Sequence, residues 1–184
     1  MSKQRTHLVH LTTSAMFLAL CLVLPFLTGQ IPEIGQMLCP MHFPVFLCAF
    51  FCGPYYAAAV GAMAPLFRFL LFGMPPLMPT GLAMCFELFT YGLVAGLLYR
   101  LLTRLRLSRY LAVYATLVPA MLAGRVIWGA VRVVFYGVGH TAFGWAAFTA
   151  GAFTTAFPGI IAQLVLIPLL VFALEGTYKK ILKG

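Results

Sequence analysis

The sequence predicts an all-α integral membrane protein with six transmembrane helices and both termini cytoplasmic. Three observations carry that reading. The 184 residues are 63% hydrophobic and 8% charged, with a mean hydropathy of +1.02, whereas a soluble domain carries about 25% charged residues. Nine of the twelve Lys and Arg residues fall in three short clusters: Lys3 and Arg5; Arg100, Arg104, Arg106 and Arg109; Lys179, Lys180 and Lys183. Basic residues that flank apolar segments stay on the cytoplasmic side, so each apolar stretch between two clusters crosses an even number of times. The remaining Arg68, Arg125 and Arg132 lie inside apolar stretches, where charge is expensive and marks a functional site.

A spanning helix needs roughly 20 apolar residues. The first covers residues 8–27; Lys3 and Arg5 before it give the outline of a signal peptide, but no small-residue cleavage site follows, so it is read as retained. Residues 31–40 carry Pro32, Glu33, Gly35 and Pro40 and read as an external loop that folds back on the bundle. The apolar stretch 41–72 is interrupted at Cys52-Gly53-Pro54. Gly suits a helix C-cap and Pro the first turn of the next helix, which gives a short second span and a third over residues 54–72. Three prolines in Gly73-Met74-Pro75-Pro76-Leu77-Met78-Pro79 exclude regular helix. The fourth span covers residues 79–102. The fifth, with Ser108 as N-cap, covers 108–136. A loop at 137–144 precedes the sixth, at 150–174. All clustered basic residues then face the cytoplasm, and residues 1–184 make a single six-helix membrane domain with no soluble domain beside it.

Several function classes drop out. The net charge of +9 belongs to topological flanks and intramembrane singles rather than to one solvated basic face, so no nucleic acid is expected. There is no G-x-x-x-x-G-K-[ST], H-E-x-x-H or G-x-S-x-G pattern and no Asp; the carboxylates are Glu33, Glu87 and Glu175, on different segments. The five cysteines form no metal-ligand spacing. Catalysis, a cofactor and a metal site are therefore not expected, and binding with translocation remains. Close-packed helices in lipid meet through small residues, and Ala15 with Ala19, Ala57 with Gly61, Gly92 with Gly96, and Ala152 with Ala156 supply four such steps.

Depth places the buried charges. Arg68 ends the outward third span. Glu87 lies eight residues below Pro79, roughly 12 Å. Arg125, Trp128 and Arg132 share one face of the fifth span, with Arg125 roughly 25 Å above Ser108. These groups converge on the outer half of the bundle, joined by Gln36, His42 and His140 from external loops. Glu87 either pairs with an arginine or contacts a ligand. Three arginines against one carboxylate leave positive charge over, which an anionic ligand group compensates. Arg125, deepest and nearest Trp128, is the expected main contact.

The chain resembles the substrate-binding S components of energy-coupling factor (ECF) vitamin transporters. The resemblance rests on Ala15-x-x-x-Ala19, Pro40-Met41-His42-Phe43-Pro44-Val45, Gly53-Pro54, Pro65-Leu66-x-Arg68, Phe72-Gly73-Met74-Pro75-Pro76 and Phe86-Glu87-Leu88-x-x-Tyr91-Gly92. It implies a bacterial multi-pass plasma-membrane protein that captures a micronutrient near the outer surface. It also implies a first helix that packs, through Ala15 and Ala19, on a membrane scaffold subunit, with two ATPase subunits powering the cycle. The family pocket, between the loop after helix one and helices four to six, matches the depth of Glu87, Arg125, Trp128 and Arg132. Excess positive charge favours a carboxylate-bearing vitamin such as pantothenate; a cobalamin precursor, vitamin B6 or a deazapurine is the alternative ligand. A solitary secondary transporter is the alternative mechanism, although no internal repeat is evident, and a ligand-free assembly subunit is a third class.

Overall fold

Proline and glycine punctuate the chain where the expected spans end. In a computed structural model of the protein, which describes residues 3–28, 31–138, 144 and 148–183, the first helix is α1 (Lys3–Val23). It starts earlier and stops earlier than expected, because the chain tightens into a 3-10 turn at Leu24–Thr28 around Pro25. The expected loop at 31–40 contains a short helix, α2 (Pro32–Leu38), with Pro32 in its first turn and Cys39 left-handed behind it at φ 48°. This is a correction: Pro32, a loop signal in the sequence, starts a helix here, as proline does when its missing N–H falls on an unpaired first turn.

Next come α3 (His42–Phe51) and α4 (Pro54–Phe72), separated at Gly53, whose φ of 93° only glycine adopts readily. An irregular turn at Leu77–Gly81, broken at Met78, leads into α5 (Leu82–Arg104). The sixth helix is α6 (Arg109–Val138); Ser108 caps it as expected, its Oγ accepting from Leu111 N–H at 3.4 Å. It reaches two residues past the expected boundary, and Pro119 does not end it. A second irregular turn, Ala150–Thr154, occupies what was expected as the start of the last span, which becomes α7 (Phe157–Lys183).

Among the described residues, five helical segments are long and apolar enough to cross a membrane: Gln4–Leu27, Pro54–Phe72, Leu77–Arg104, Arg109–Tyr136 and Phe157–Leu182. The expected second span, α3, is ten residues long, roughly 15 Å, about half the hydrocarbon thickness. Side-chain pairs fix its course. Cys48 faces Ser14 at 3.6 Å and Cys21 faces the Met41 carbonyl at 3.5 Å, so α3 runs antiparallel to α1. It begins level with Cys21 and ends beside Tyr99 and Tyr178.

The same logic orders the bundle. Arg68 against Leu22 and Tyr56 against His7 make α1 and α4 parallel. Glu87 with Arg125 and Thr80 with Arg132 make α5 and α6 antiparallel. Arg109 with Glu175 and Tyr110 with Phe172 set α7 against α6. One end of the bundle gathers Arg100, Arg109 and Lys179; the other gathers Arg68, Thr80, Trp128 and Arg132. The small residues act as packing surfaces: Gly61 lies against the Leu88 backbone, Gly92 against Ala57 and Gly96 against Pro54, so α4 and α5 touch main chain to main chain.

Candidate functional site

The end of the bundle opposite the basic clusters is shaped by residues that cannot continue a helix. Gly73, at φ 71°, closes α4 by donating its N–H to the Phe69 carbonyl at 2.8 Å. Pro75 and Pro76 carry the chain over the rim, and Gly81 N–H returns to the Pro76 carbonyl at 2.8 Å. Beneath this strap lies a cavity of about 400 Å³, within the range that holds a small metabolite. Pro25 and Ile31 border it on one side, Gly35, Cys39 and His42 on another, and Pro76, Thr80 and Met84 above; Arg68, Glu87, Arg125, Trp128 and Arg132 complete the wall.

Glu87 is the hub of its floor. One carboxylate oxygen, Oε1, meets Arg125 Nη1 at 3.0 Å, accepts the Tyr91 hydroxyl at 2.8 Å and lies 3.4 Å from His42 Nε2. All four side chains are buried. The question of which arginine pairs with Glu87 is thereby answered by Arg125. The other face of Arg125 reaches the Cys39 sulfur, at 3.6 Å from Nη2. Among the described residues, Glu87 is the carboxylate that pairs with Arg125.

The other two arginines sit differently. Arg68 donates to the Leu22 carbonyl at 2.7 Å, and its guanidinium lies over Phe26 and Phe72 at 5.2 and 5.6 Å. It pins the end of α1 to α4 while still bordering the cavity. Arg132 donates to Thr80 Oγ1 at 3.2 Å and stacks over Trp128 at 4.6 Å and Tyr136 at 5.9 Å. Trp128 is itself packed against Phe148 and Gly151, with no room for a Cβ on Gly151.

Of the residues expected here, Glu87, Arg125, Trp128, Arg132, Arg68 and His42 line one cavity. Gln36 falls on α2 beside the lining Gly35, its side chain outside the described part, and His140 lies outside the described residues. Tyr91, Thr80 and Cys39 were not foreseen. Tyr91 had a readable signal, since it stands one turn after Glu87 on the same face; Thr80 and Cys39 arrive through turns that local sequence does not fix. On α1, Ala15 and Ala19 are both exposed, on the helix flank turned away from Ser14 and Phe17.

Apolar helices that enclose a charged, metabolite-sized cavity at one end define a multi-pass membrane protein of the solute-binding kind. The chain belongs to the family of ECF transporter substrate-specific components, whose family model matches residues 9–171. No curated protein and no solved structure matches it significantly. Membership makes the chain a substrate-binding subunit of micronutrient uptake rather than an enzyme, in a family whose members in general work with ECF scaffold and ATPase subunits.

Proposed function

We propose that this chain binds a carboxylate-bearing vitamin, with pantothenate the leading candidate, in the cavity between α2 and α4–α6, and delivers it through an ECF module of a bacterial plasma membrane. The observation that carries the reading is the charge of the cavity wall: Arg68, Arg125 and Arg132 against Glu87 alone. Buried charge calls for compensation. Glu87 pairs with Arg125, the main contact favoured by sequence depth, and Arg132, which borders the cavity beside Thr80, is the arginine proposed here to meet the ligand anion. Trp128, beneath Arg132, offers an apolar surface to the ligand's chain.

In this reading six crossings, the second made jointly by α2 and α3, leave both termini and the Arg100–Arg109 loop cytoplasmic, and the cavity opens outward. Residues 1–184 act as one membrane domain, with Ala15 and Ala19 presented to the scaffold subunit. The test is reconstitution in liposomes with scaffold and ATPases, followed by uptake of labelled vitamins. Pantothenate uptake that requires ATP and is competed by unlabelled pantothenate is expected. Uptake by the chain alone on an ion gradient points to a solitary transporter, and uptake of vitamin B6 or a deazapurine instead rejects the carboxylate.

A further inference from the structure

Within the cavity wall, His42 is the residue whose chemistry is left incomplete. It is 2% exposed, and its Nε2 faces Glu87 Oε1 at 3.4 Å. Its Nδ1 is buried with no hydrogen-bond partner among the described residues. Glu87 carries one negative charge, already matched by Arg125 on the same oxygen. An imidazole that carries a single proton donates through one ring nitrogen and accepts through the other. A carboxylate only accepts, so it holds the single imidazole proton on Nε2. Nδ1 is then a bare acceptor, and a buried unpaired acceptor is costly until a donor reaches it.

We infer that His42 is the specificity residue that reads a hydroxyl or amide N–H of the ligand, and that Glu87 acts as a positioning residue by fixing the His42 tautomer. The inference rests on the cavity being the ligand site, as proposed above. It also gives the ligand a polarity. Arg125 and Arg132 are seven residues apart on α6, roughly 10 Å along the axis, and His42 meets the same Glu87 oxygen as Arg125. A ligand that meets Arg132 with its anion and His42 with its donor is elongated, on the order of 10 Å between those groups. The class is therefore a slender monoanion with a hydroxyl or amide at the far end.

Two substitutions separate the ring nitrogens. In His42→Gln the longer amide reaches the Nε2 position and keeps the contact with Glu87. In His42→Asn the shorter amide occupies the Nδ1 position and keeps an acceptor for the ligand. Binding is measured calorimetrically on the purified chain in nanodiscs. The probes are pantothenate, biotin, and derivatives of each with the donor removed (pantothenate without its terminal hydroxyl, biotin methylated on its ureido nitrogen). The wild type should bind one of the two acids and lose roughly ten- to a hundredfold on its donor-less derivative. His42→Gln should bind parent and derivative equally weakly, while His42→Asn stays within about fivefold of wild type on the parent. Biotin binding with this pattern removes pantothenate and leaves the His42 assignment standing. Pantothenate binding with His42→Gln still discriminating as wild type does keeps the proposed ligand and overturns the assignment. Binding of neither acid, or of 7-deazaguanine in their place, overturns both.

Discussion

Arg125 and Glu87 illustrate how far a single side chain can be interpreted from sequence. Both stand out as charges in apolar helices, and their depths coincide, so a buried pair is legible. That Tyr91 and His42 share the same carboxylate oxygen is not, because it depends on side-chain geometry across three helices. The cluster predicts a specific pattern of loss. Arg125→Gln strands a buried carboxylate and should destabilise the bundle by about 3–5 kcal/mol, read as a lower thermal midpoint in detergent. Glu87→Gln together with Arg125→Gln should recover much of that, since no unpaired charge remains. Tyr91→Phe removes only one donor to an ionised group and should cost about 1.5–3 kcal/mol. Arg132→Gln separates stability from binding: its midpoint should stay near wild type while affinity for an anionic vitamin falls by about 2–5 kcal/mol. Equal affinity of wild type and Arg132→Gln in calorimetry removes Arg132 from the ligand site.

At the level of elements, the apolar runs and their Gly and Pro punctuation locate α4, α5 and α6 closely, because length and break residues are local properties. The departures share one cause. Pro25, Pro32 and Pro79 each act through the structure around them, so proline alone does not tell whether a helix ends, begins or turns irregular. The contact of α4 with α5 brings backbone against backbone, and it depends on having no side chain at Gly92. Gly92→Ala would put a methyl group into the Ala57 backbone and should cost about 1–3 kcal/mol by overpacking, or splay the two helices, visible as a lower midpoint and lost ligand binding. The exposed flank of α1 should behave oppositely. Ala15→Leu and Ala19→Leu add bulk at two exposed positions, so stability and ligand affinity should be kept while co-purification with scaffold and ATPases is lost. Normal assembly of both variants moves the partner surface elsewhere.

For the whole molecule, the segregation of basic residues at one end and the cavity at the other predicts sidedness. In a variant without its five native cysteines, a cysteine replacing Arg106 should resist an impermeant maleimide on intact cells, whereas one replacing Met74 should react; the reverse result inverts the topology. The floor of the cavity has a further role. Below it, between α6 and α7, lies a second void of about 130 Å³, bounded by Tyr91, Arg125 and the buried Gln163. Arg125 borders both spaces. A carrier that admits water to half its depth risks becoming a leak for protons and ions. A neutral stopper of one cation and one anion feels little net pull from the membrane voltage, which acts on a lone elementary charge with about 2.3 kcal/mol per 100 mV. The Arg125–Glu87 pair can thus divide the two spaces without being driven by the field, and the protein can hold a wet mouth in an energised membrane while remaining an electrical insulator.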